Sequence, residues 1–318
     1  MIDTSLPADR ALSIVVPCHN EADALPLLVP RLLALCANVS GASEILLVND
    51  GSTDATAAIM EQLAAAHPQV VAVHLARRYG QQIALSAGLS LCRGARIFII
   101  DADLQDPPEL LPDMMRLMDE GADVVYGQRR KRDGESAFKR QSARFFYRFM
   151  RLAGDEALPP DTGDFRLFNR RVWELLQRMP ERQRFLRGMI AWIGLKQVAL
   201  PYDRKPRPAG VSKYPLRRML HFAMDAITSF SVFPLRLSLW LSFGCSLLAA
   251  ALLLYVLVVW LFGATVWGWA SLATILLFFF ALQFFCIGMI GEYVGRIYLE
   301  SKQRPLFIID RVSGGTTA

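Results

Sequence analysis

Charge is missing from one long part of this sequence: the 55 residues from Leu237 to Gly291 contain no Asp, Glu, Lys or Arg. The averages over all 318 residues, 53% hydrophobic and 20% charged, are within reach of a soluble domain, so the distribution decides. A spanning helix takes roughly 20 apolar residues, so the stretch fits two spans and a tight turn but not three spans with loops. A wholly soluble protein and a polytopic transporter are both excluded. Cysteine is scarce too. Cys18, Cys36, Cys92, Cys245 and Cys286 are odd in number, form no Cys-x-x-Cys pair and fall partly in the apolar stretch. That argues against a disulfide framework or zinc site and fits a reduced, cytosolic setting. No Walker loop, Gly-x-Gly-x-x-Gly or His-Glu-x-x-His occurs, which weighs against a P-loop nucleotidase, a dinucleotide enzyme and a zinc peptidase. Met1 to Arg10 is polar and Ile14 to Val16 is far too short for a signal sequence, so export of the large domain is not expected.

The first 127 residues alternate short β-branched runs with amphipathic segments, the pattern of β-α units on a mostly parallel sheet. Strands are predicted at Leu12 to Val16, Glu44 to Asn49, Val70 to Leu75, Arg96 to Asp101 and Asp123 to Gly127. Helices are predicted at Ala22 to Leu35, Thr53 to Ala66, Gln81 to Leu91 and Pro108 to Glu120. Ligands in such sheets bind at the carboxyl ends of the strands. The expected division is a cytoplasmic domain over 1–211, an amphipathic juxtamembrane segment over 212–236, two membrane helices at about 237–262 and 270–291, and a cytoplasmic tail over 292–318.

Two basic runs precede the apolar stretch. Arg129 to Arg151 holds nine Lys or Arg against Asp133 and Glu135, and no acid lies between Asp203 and Asp225. A solvated face explains such runs, but just before a membrane segment they also suit an anionic leaflet or phosphate groups. Arg236 precedes the hairpin, and Arg296, Lys302 and Arg304 follow it, while the turn has no base. The positive-inside bias then puts both termini in the cytoplasm. Trp260, Trp267 and Trp269 cluster at the turn, and Gly291 and Gly295 form a small-xxx-small pair. Between Ser212 and Arg236, apolar residues from Leu216 to Phe230 mingle with bases, which reads equally as an interfacial helix or a core helix.

The strongest local feature is Ile99-Ile100-Asp101-Ala102-Asp103-Leu104-Gln105-Asp106. Two carboxylates at the end of a buried strand repel unless a cation lies between them, and hard oxygen ligands suit magnesium or manganese bridging to nucleotide phosphates. The bland alternative is an acidic loop with Asp106 capping the next helix. Asn20, Glu21 and Asp50 sit at neighbouring strand ends, where they suit ribose hydroxyls and a base N–H. Asn20 also reads as a helix cap and Asp50-Gly51 as a turn.

Val15-Val16-Pro17-Cys18-His19-Asn20-Glu21, Val48-Asn49-Asp50-Gly51-Ser52-Thr53-Asp54 and Asp101-Ala102-Asp103, in that order, resemble the family 2 glycosyltransferases. Arg78 to Gly88, Asp103 to Glu109 and Gly163-Asp164-Phe165-Arg166-Leu167 are similar to the polyprenyl-phosphate branch of that family, which includes dolichol-phosphate mannose synthase and the bactoprenol glucosyltransferases. Pro201-Tyr202-Asp203-Arg204, Gly210 to Tyr214 and Gly291 to Arg296 extend the likeness. The resemblance implies a Rossmann-like nucleotide-sugar-binding α/β domain of the GT-A type. It implies that Pro17, His19, Glu21 and Asp50 hold the nucleoside, and that Asp101, Asp103 and Gln105 surround Mg2+ or Mn2+ and the donor diphosphate. It places Arg129 near donor phosphate or sugar, Lys139 and Arg140 at the acceptor phosphate, and Arg207 and Lys213 in a lid over the phosphates. His19 stands where Tyr is usual and Arg78 where Asn is common.

The implied reaction is inverting transfer of a hexose, glucose from UDP-glucose foremost, to undecaprenyl phosphate at the inner face of a bacterial plasma membrane. A lipid phosphate needs little help from a base, since its second pKa is about 6. Asp164 therefore reads either as a base or as an orienting group. Other donors (an aminoarabinose derivative, N-acetylglucosamine or mannose) and a non-catalytic membrane adaptor are the alternatives. The expected partners are a nucleotide sugar, a polyprenyl phosphate and the membrane. Homo-oligomerisation is left open and nucleic acid is not expected.

Overall fold

The computed structural model describes residues 9–130, 162–182, 184–203, 233–262 and 268–315. The chain divides into two compact units. The first contains a single eight-stranded sheet, with β1 (Arg10–Cys18), β2 (Ser43–Asn49), β3 (Val70–Leu75), β4 (Gly94–Ile99), β5 (Val124–Arg129), β6 (Thr162–Asn169), β7 (Gln197–Tyr202) and β8 (Ile309–Gly314). The strand order is β7-β5-β6-β4-β1-β2-β3-β8. β6 and β8 run antiparallel to their neighbours, and the other pairings are parallel. Helices α1 (Leu25–Ala37), α2 (Thr56–Ala66), α3 (Gln81–Ser90), α4 (Leu111–Asp119), α5 (Arg170–Arg178) and α6 (Leu186–Ile193) connect or follow the strands.

Period-2 alternation along β1 builds the three layers. Leu12, Ile14 and Val16 point to one face, where Leu25, Leu28 and Leu32 of α1, Met60 of α2 and Met114 of α4 cover them. Val15 points to the other, among Leu85 and Leu89 of α3, Trp173 of α5 and Ile190 of α6. The mostly parallel sheet that the β-α alternation predicts is present. β1 and β2 reach further than expected, whereas β4 stops at Ile99, so Asp101 lies beyond the strand in the loop. The helix expected from Pro108 begins instead as a 3-10 turn, Pro108–Leu110, and becomes α-helical at Leu111.

In the second unit, α7 (Phe233–Leu261) and α8 (Trp269–Ser301) are long. Their windows Trp240–Val259 and Phe278–Ser301 are long and apolar enough to cross a membrane, and neither is buried within the protein. Exposed Phe243, Leu254 and Phe284 on such helices require a lipid or detergent surround, so the protein is membrane-associated. α8 continues past Gly291, the end expected for the second span, through a charged section. There Arg296 pairs with Glu292 one turn away, Nη2 to Oε1 at 3.0 Å. The last strand was not anticipated either: after the hairpin, the chain adds β8 to the free side of β3.

α3 packs so closely on the sheet that a Cβ on Gly88 would lie 2.5 Å from Val15 Cγ1 and 2.9 Å from Val48 Cγ2. Both valines are fully buried on central strands and have nowhere to move. Gly88→Val is therefore expected to lower the melting temperature of the detergent-solubilised protein by roughly 5–10 °C. An unchanged melting temperature would contradict this packing.

Candidate functional site

The carboxyl ends of β1, β2, β3 and β4 meet at one edge of the sheet. Pairing aligns Cys18 of β1 with Asn49 of β2, and Asn49 with His74 of β3. The residues just beyond, His19 to Glu21 and Asp50 to Asp54, thus lie in adjacent loops. His19 Nδ1 is 2.9 Å from the Asp50 carbonyl. A carbonyl only accepts, so this nitrogen carries the proton and the half-buried ring is held against the second loop. Gly51 makes the tight turn with φ +61°, and a Cβ there would come within 2.7 Å of the Arg78 backbone nitrogen. That close approach lets buried Asp50 accept from the Tyr79 and Gly80 N–H groups at 2.6 and 2.8 Å. Pro17 sits within β1 opposite Val48, and Glu21 lies half-buried with its backbone N–H on Thr56 Oγ1 at 2.8 Å.

Asn20 is not the cap of α1. Its φ is +58°, it lies four residues before Ala24, which occupies the N-cap position, and its Oδ1 accepts from the Thr53 N–H at 2.8 Å. It ties the two loops together. Nor does Asp106 cap the following helix, since it is buried and accepts a short hydrogen bond from the Tyr202 hydroxyl.

The second half of the site is a cluster of carboxylates. Buried Asp164 comes from β6, whose insertion between β4 and β5 carries it to the loop after β4. Arg187 of α6 clasps it with Nε to Oδ1 at 2.8 Å and Nη2 to Oδ2 at 3.2 Å. Gln82 Nε2 donates to Asp164 Oδ2 at 2.8 Å, while its Oε1 accepts from the Leu186 N–H, the first residue of α6, at 3.0 Å. Gln81 Nε2 links Asp101 Oδ1 at 2.8 Å to Asp164 Oδ2 at 3.4 Å. Burial alone would raise the pKa of Asp164, but the charge and hydrogen bonds of Arg187, then Arg166 and Gln82, outweigh it and hold the group below its ordinary value. Asp101 goes the other way: burial and the nearby Asp164, Asp103 and Asp106 push it up to about 7, against Arg187. Arg166 is buried, donates from Nη2 to the Gly163 carbonyl at 2.9 Å, and is brought down to about 10, chiefly by burial.

Asp103 Oδ1 accepts from the Gln105 N–H at 3.2 Å. The Gln105 side chain is buried, and its Oε1 has no hydrogen-bond partner among the described residues. Among those residues, no three His, Cys, Asp or Glu side chains converge into a metal site on their own. Two carboxylates and an unpartnered amide oxygen, in a cluster whose mutual repulsion raises Asp101, still fit a hard cation that takes its remaining ligands from a diphosphate. Half-buried Arg129, at the end of β5, lies over Gly163, where a Cβ would be 3.1 Å from Nη2, and its Nε is 3.5 Å from the Tyr202 hydroxyl. Lys139, Arg140, Arg207 and Lys213 fall outside the described residues.

Sequence reasoning assigned no role to Gln81, Gln82, Tyr202 or Arg187. The first three stood in segments already noted, Arg78 to Gly88 and Pro201 to Arg204. Arg187, on a short helix far along the chain, gave no signal.

Comparison with known proteins agrees with this geometry. The model of the family described as Glycosyl transferase family 2 matches residues 13–176. The chain is 42% identical over 306 residues to an uncharacterized glycosyltransferase, YkcC, of Bacillus subtilis (strain 168), covering 95% of this chain and 94% of that one. It is 38% identical over 307 residues to a prophage bactoprenol glucosyl transferase homolog of Escherichia coli (strain K12), covering 95% and 99%. Among solved structures, it is similar to glucosyl-3-phosphoglycerate synthase from Mycobacterium tuberculosis in complex with Mn2+, uridine diphosphate and phosphoglyceric acid. There the TM-score is 0.50, with 22% identity over 70% of this chain and 77% of that one, a likeness of fold. The strand-end loops, the Asp101-Ala102-Asp103 edge and this kinship agree: the chain belongs to glycosyltransferase family 2 and is a glycosyltransferase with a GT-A fold.

Proposed function

We propose that the protein transfers a hexose, glucose from UDP-glucose, to the phosphate of a polyprenyl phosphate such as undecaprenyl phosphate, at the cytoplasmic face of a bacterial plasma membrane. The observation that carries the reading is the carboxylate cluster of Asp101, Asp103 and Asp164 at the strand ends, in a chain with two membrane-length apolar helices. The prophage bactoprenol glucosyl transferase homolog that the chain resembles over nearly its full length supports both acceptor and sugar.

In this reading, Pro17, His19, Glu21 and Asp50 line the nucleoside side of the edge. Asp101, Asp103 and Gln105 would hold Mg2+ or Mn2+, which supplies positive charge for the leaving diphosphate. Arg129 serves the donor phosphate or sugar, with Arg207 and Lys213 over the phosphates and Lys139 and Arg140 at the acceptor phosphate. An acceptor phosphate oxygen forms the new bond to the anomeric carbon as the bond from that carbon to the diphosphate oxygen breaks, and the uridine diphosphate takes the electron pair. One displacement inverts the anomeric centre.

The acceptor is already largely ionised at neutral pH, since its second pKa is about 6, so no strong base is required. Asp164 suits an orienting role better than a base, because Arg187 and Gln82 occupy its oxygens and lower its pKa. The apolar helices keep the enzyme in the layer that holds a polyprenyl phosphate, whose tail does not leave the bilayer.

Membranes containing the protein, given radiolabelled UDP-glucose, polyprenyl phosphate and magnesium or manganese, are expected to yield a labelled lipid. A folded enzyme that labels lipid from no member of a nucleotide-sugar panel refutes the reading. Asp103→Asn should cut transfer by about 100-fold or more with an unchanged melting temperature, and near-wild-type transfer would remove the proposed role of Asp103. A cation must also displace the proton that Asp101 retains up to a pH of about 7. Manganese affinity, read by titration calorimetry, should therefore rise as pH increases from 6 to 8, beyond any change in Asp101→Asn. A flat wild-type profile would contradict it.

A further inference from the structure

Behind the nucleoside-side loops runs a chain of hydrogen bonds and charge contacts with no part in the roles above. His74 is buried on β3, 5% exposed, beside Asn49 of β2. Its Nδ1 lies 3.1 Å from Asn49 Nδ2, and its Nε2 lies 2.9 Å from Glu61 Oε1 on α2. The donors fix where the proton sits. Asn49 Oδ1 accepts from the Ser52 N–H at 2.9 Å, so Asn49 turns its amide nitrogen to the imidazole, and an amide nitrogen only donates. His74 Nδ1 is therefore the acceptor, and Nε2 carries the proton, which faces the Glu61 carboxylate at 2.9 Å without forming an aligned hydrogen bond. Burial pushes the His74 pKa down, with Glu61 opposing and Arg311 adding to the fall, in keeping with a neutral ring.

Both ends of this chain reach further. Glu61 Oε1 also forms an ion pair with Arg311 Nη2 at 2.8 Å and accepts from Ser313 Oγ at 3.1 Å, both on β8. At the other end, the Asn20 N–H donates to Ser52 Oγ at 3.1 Å. Hydrogen bonds and the close His74–Glu61 contact thus connect the last strand of the chain, through α2 and β3, to the two loops that carry His19, Glu21 and Asp50. An aliphatic residue would serve the core at this point on β3 better, because a buried imidazole with only Nδ1 hydrogen-bonded costs stability.

We propose that His74 is a positioning residue for the nucleoside-binding loop Asn49 to Asp54, and that Glu61, Arg311 and Ser313 anchor it to the C-terminal strand. This rests on reading that edge of the sheet as the nucleoside site. The strand that follows the membrane hairpin then sets donor affinity without touching the donor.

The test is calorimetric titration of uridine diphosphate with saturating magnesium into detergent-solubilised wild type, His74→Phe, His74→Gln and the double variant Arg311→Ala with Ser313→Ala, alongside steady-state kinetics. His74→Phe and the double variant should each weaken uridine diphosphate binding and raise donor KM by roughly five- to tenfold, with kcat within about twofold. His74→Gln should recover part of the loss, since its amide oxygen accepts from Asn49. The double variant leaves the core untouched, so it decides the matter if His74→Phe does not fold. Unchanged uridine diphosphate affinity and donor KM in the double variant, even with a lower melting temperature, overturn the proposal. A wild type that binds no uridine diphosphate overturns the nucleoside reading itself, a failure visible before any variant is compared.

Discussion

Mutual repulsion among carboxylates at one edge of the sheet is the constraint around which the rest of the site is arranged. Burial, together with the nearby Asp164, Asp103 and Asp106, raises Asp101 well above an ordinary carboxyl group. Each is dealt with differently. Asp164 has Arg187 and Gln82, Asp106 has the Tyr202 hydroxyl, and Asp101 has the amide of Gln81. The least compensated charge is therefore that of Asp101, in the same loop as buried Gln105, whose side-chain oxygen has no hydrogen-bond partner among the described residues. Such an arrangement costs stability by itself and is suited to a bound cation and diphosphate.

The topology makes this crowding possible. Parallel strands β1 to β4 bring the loops of His19, Asp50 and Asp101 to one edge, and antiparallel β6 delivers Asp164 to the same place from a later part of the chain. α3 then lies close enough, because residue 88 is glycine, for Gln81 and Gln82 at its start to join the carboxylates to each other and to α6. The membrane hairpin is inserted between β7 and β8, so the catalytic sheet is completed by residues that follow the apolar helices.

Much of this was legible in the sequence because it is local. β-branched runs followed by Asn-Asp-Gly or Asp-Ala-Asp mark buried strands that end in polar loops, and strand ends are where ligands bind in such sheets. The long uncharged stretch marked the hairpin. What the sequence did not disclose depends on distant pairings. β8 has no strong pattern of its own and forms because β3 offers a free edge. Arg187 is one of many arginines until α6 folds against β6, and the same holds for the bond of Tyr202 to Asp106. Two local readings lost to tertiary contacts: Asn20 and Asp106 have the chemistry of helix caps but bond across loops and strands instead.

The most direct measurement is an anomalous difference map from crystals of the full chain grown with manganese and uridine diphosphate. The expected result is a manganese peak bounded by Asp103, Gln105 and the diphosphate, with Asp164 still clasped by Arg187. Uridine diphosphate bound at these strand ends with no manganese beside Asp101 and Asp103 would contradict the role assigned to the carboxylate cluster.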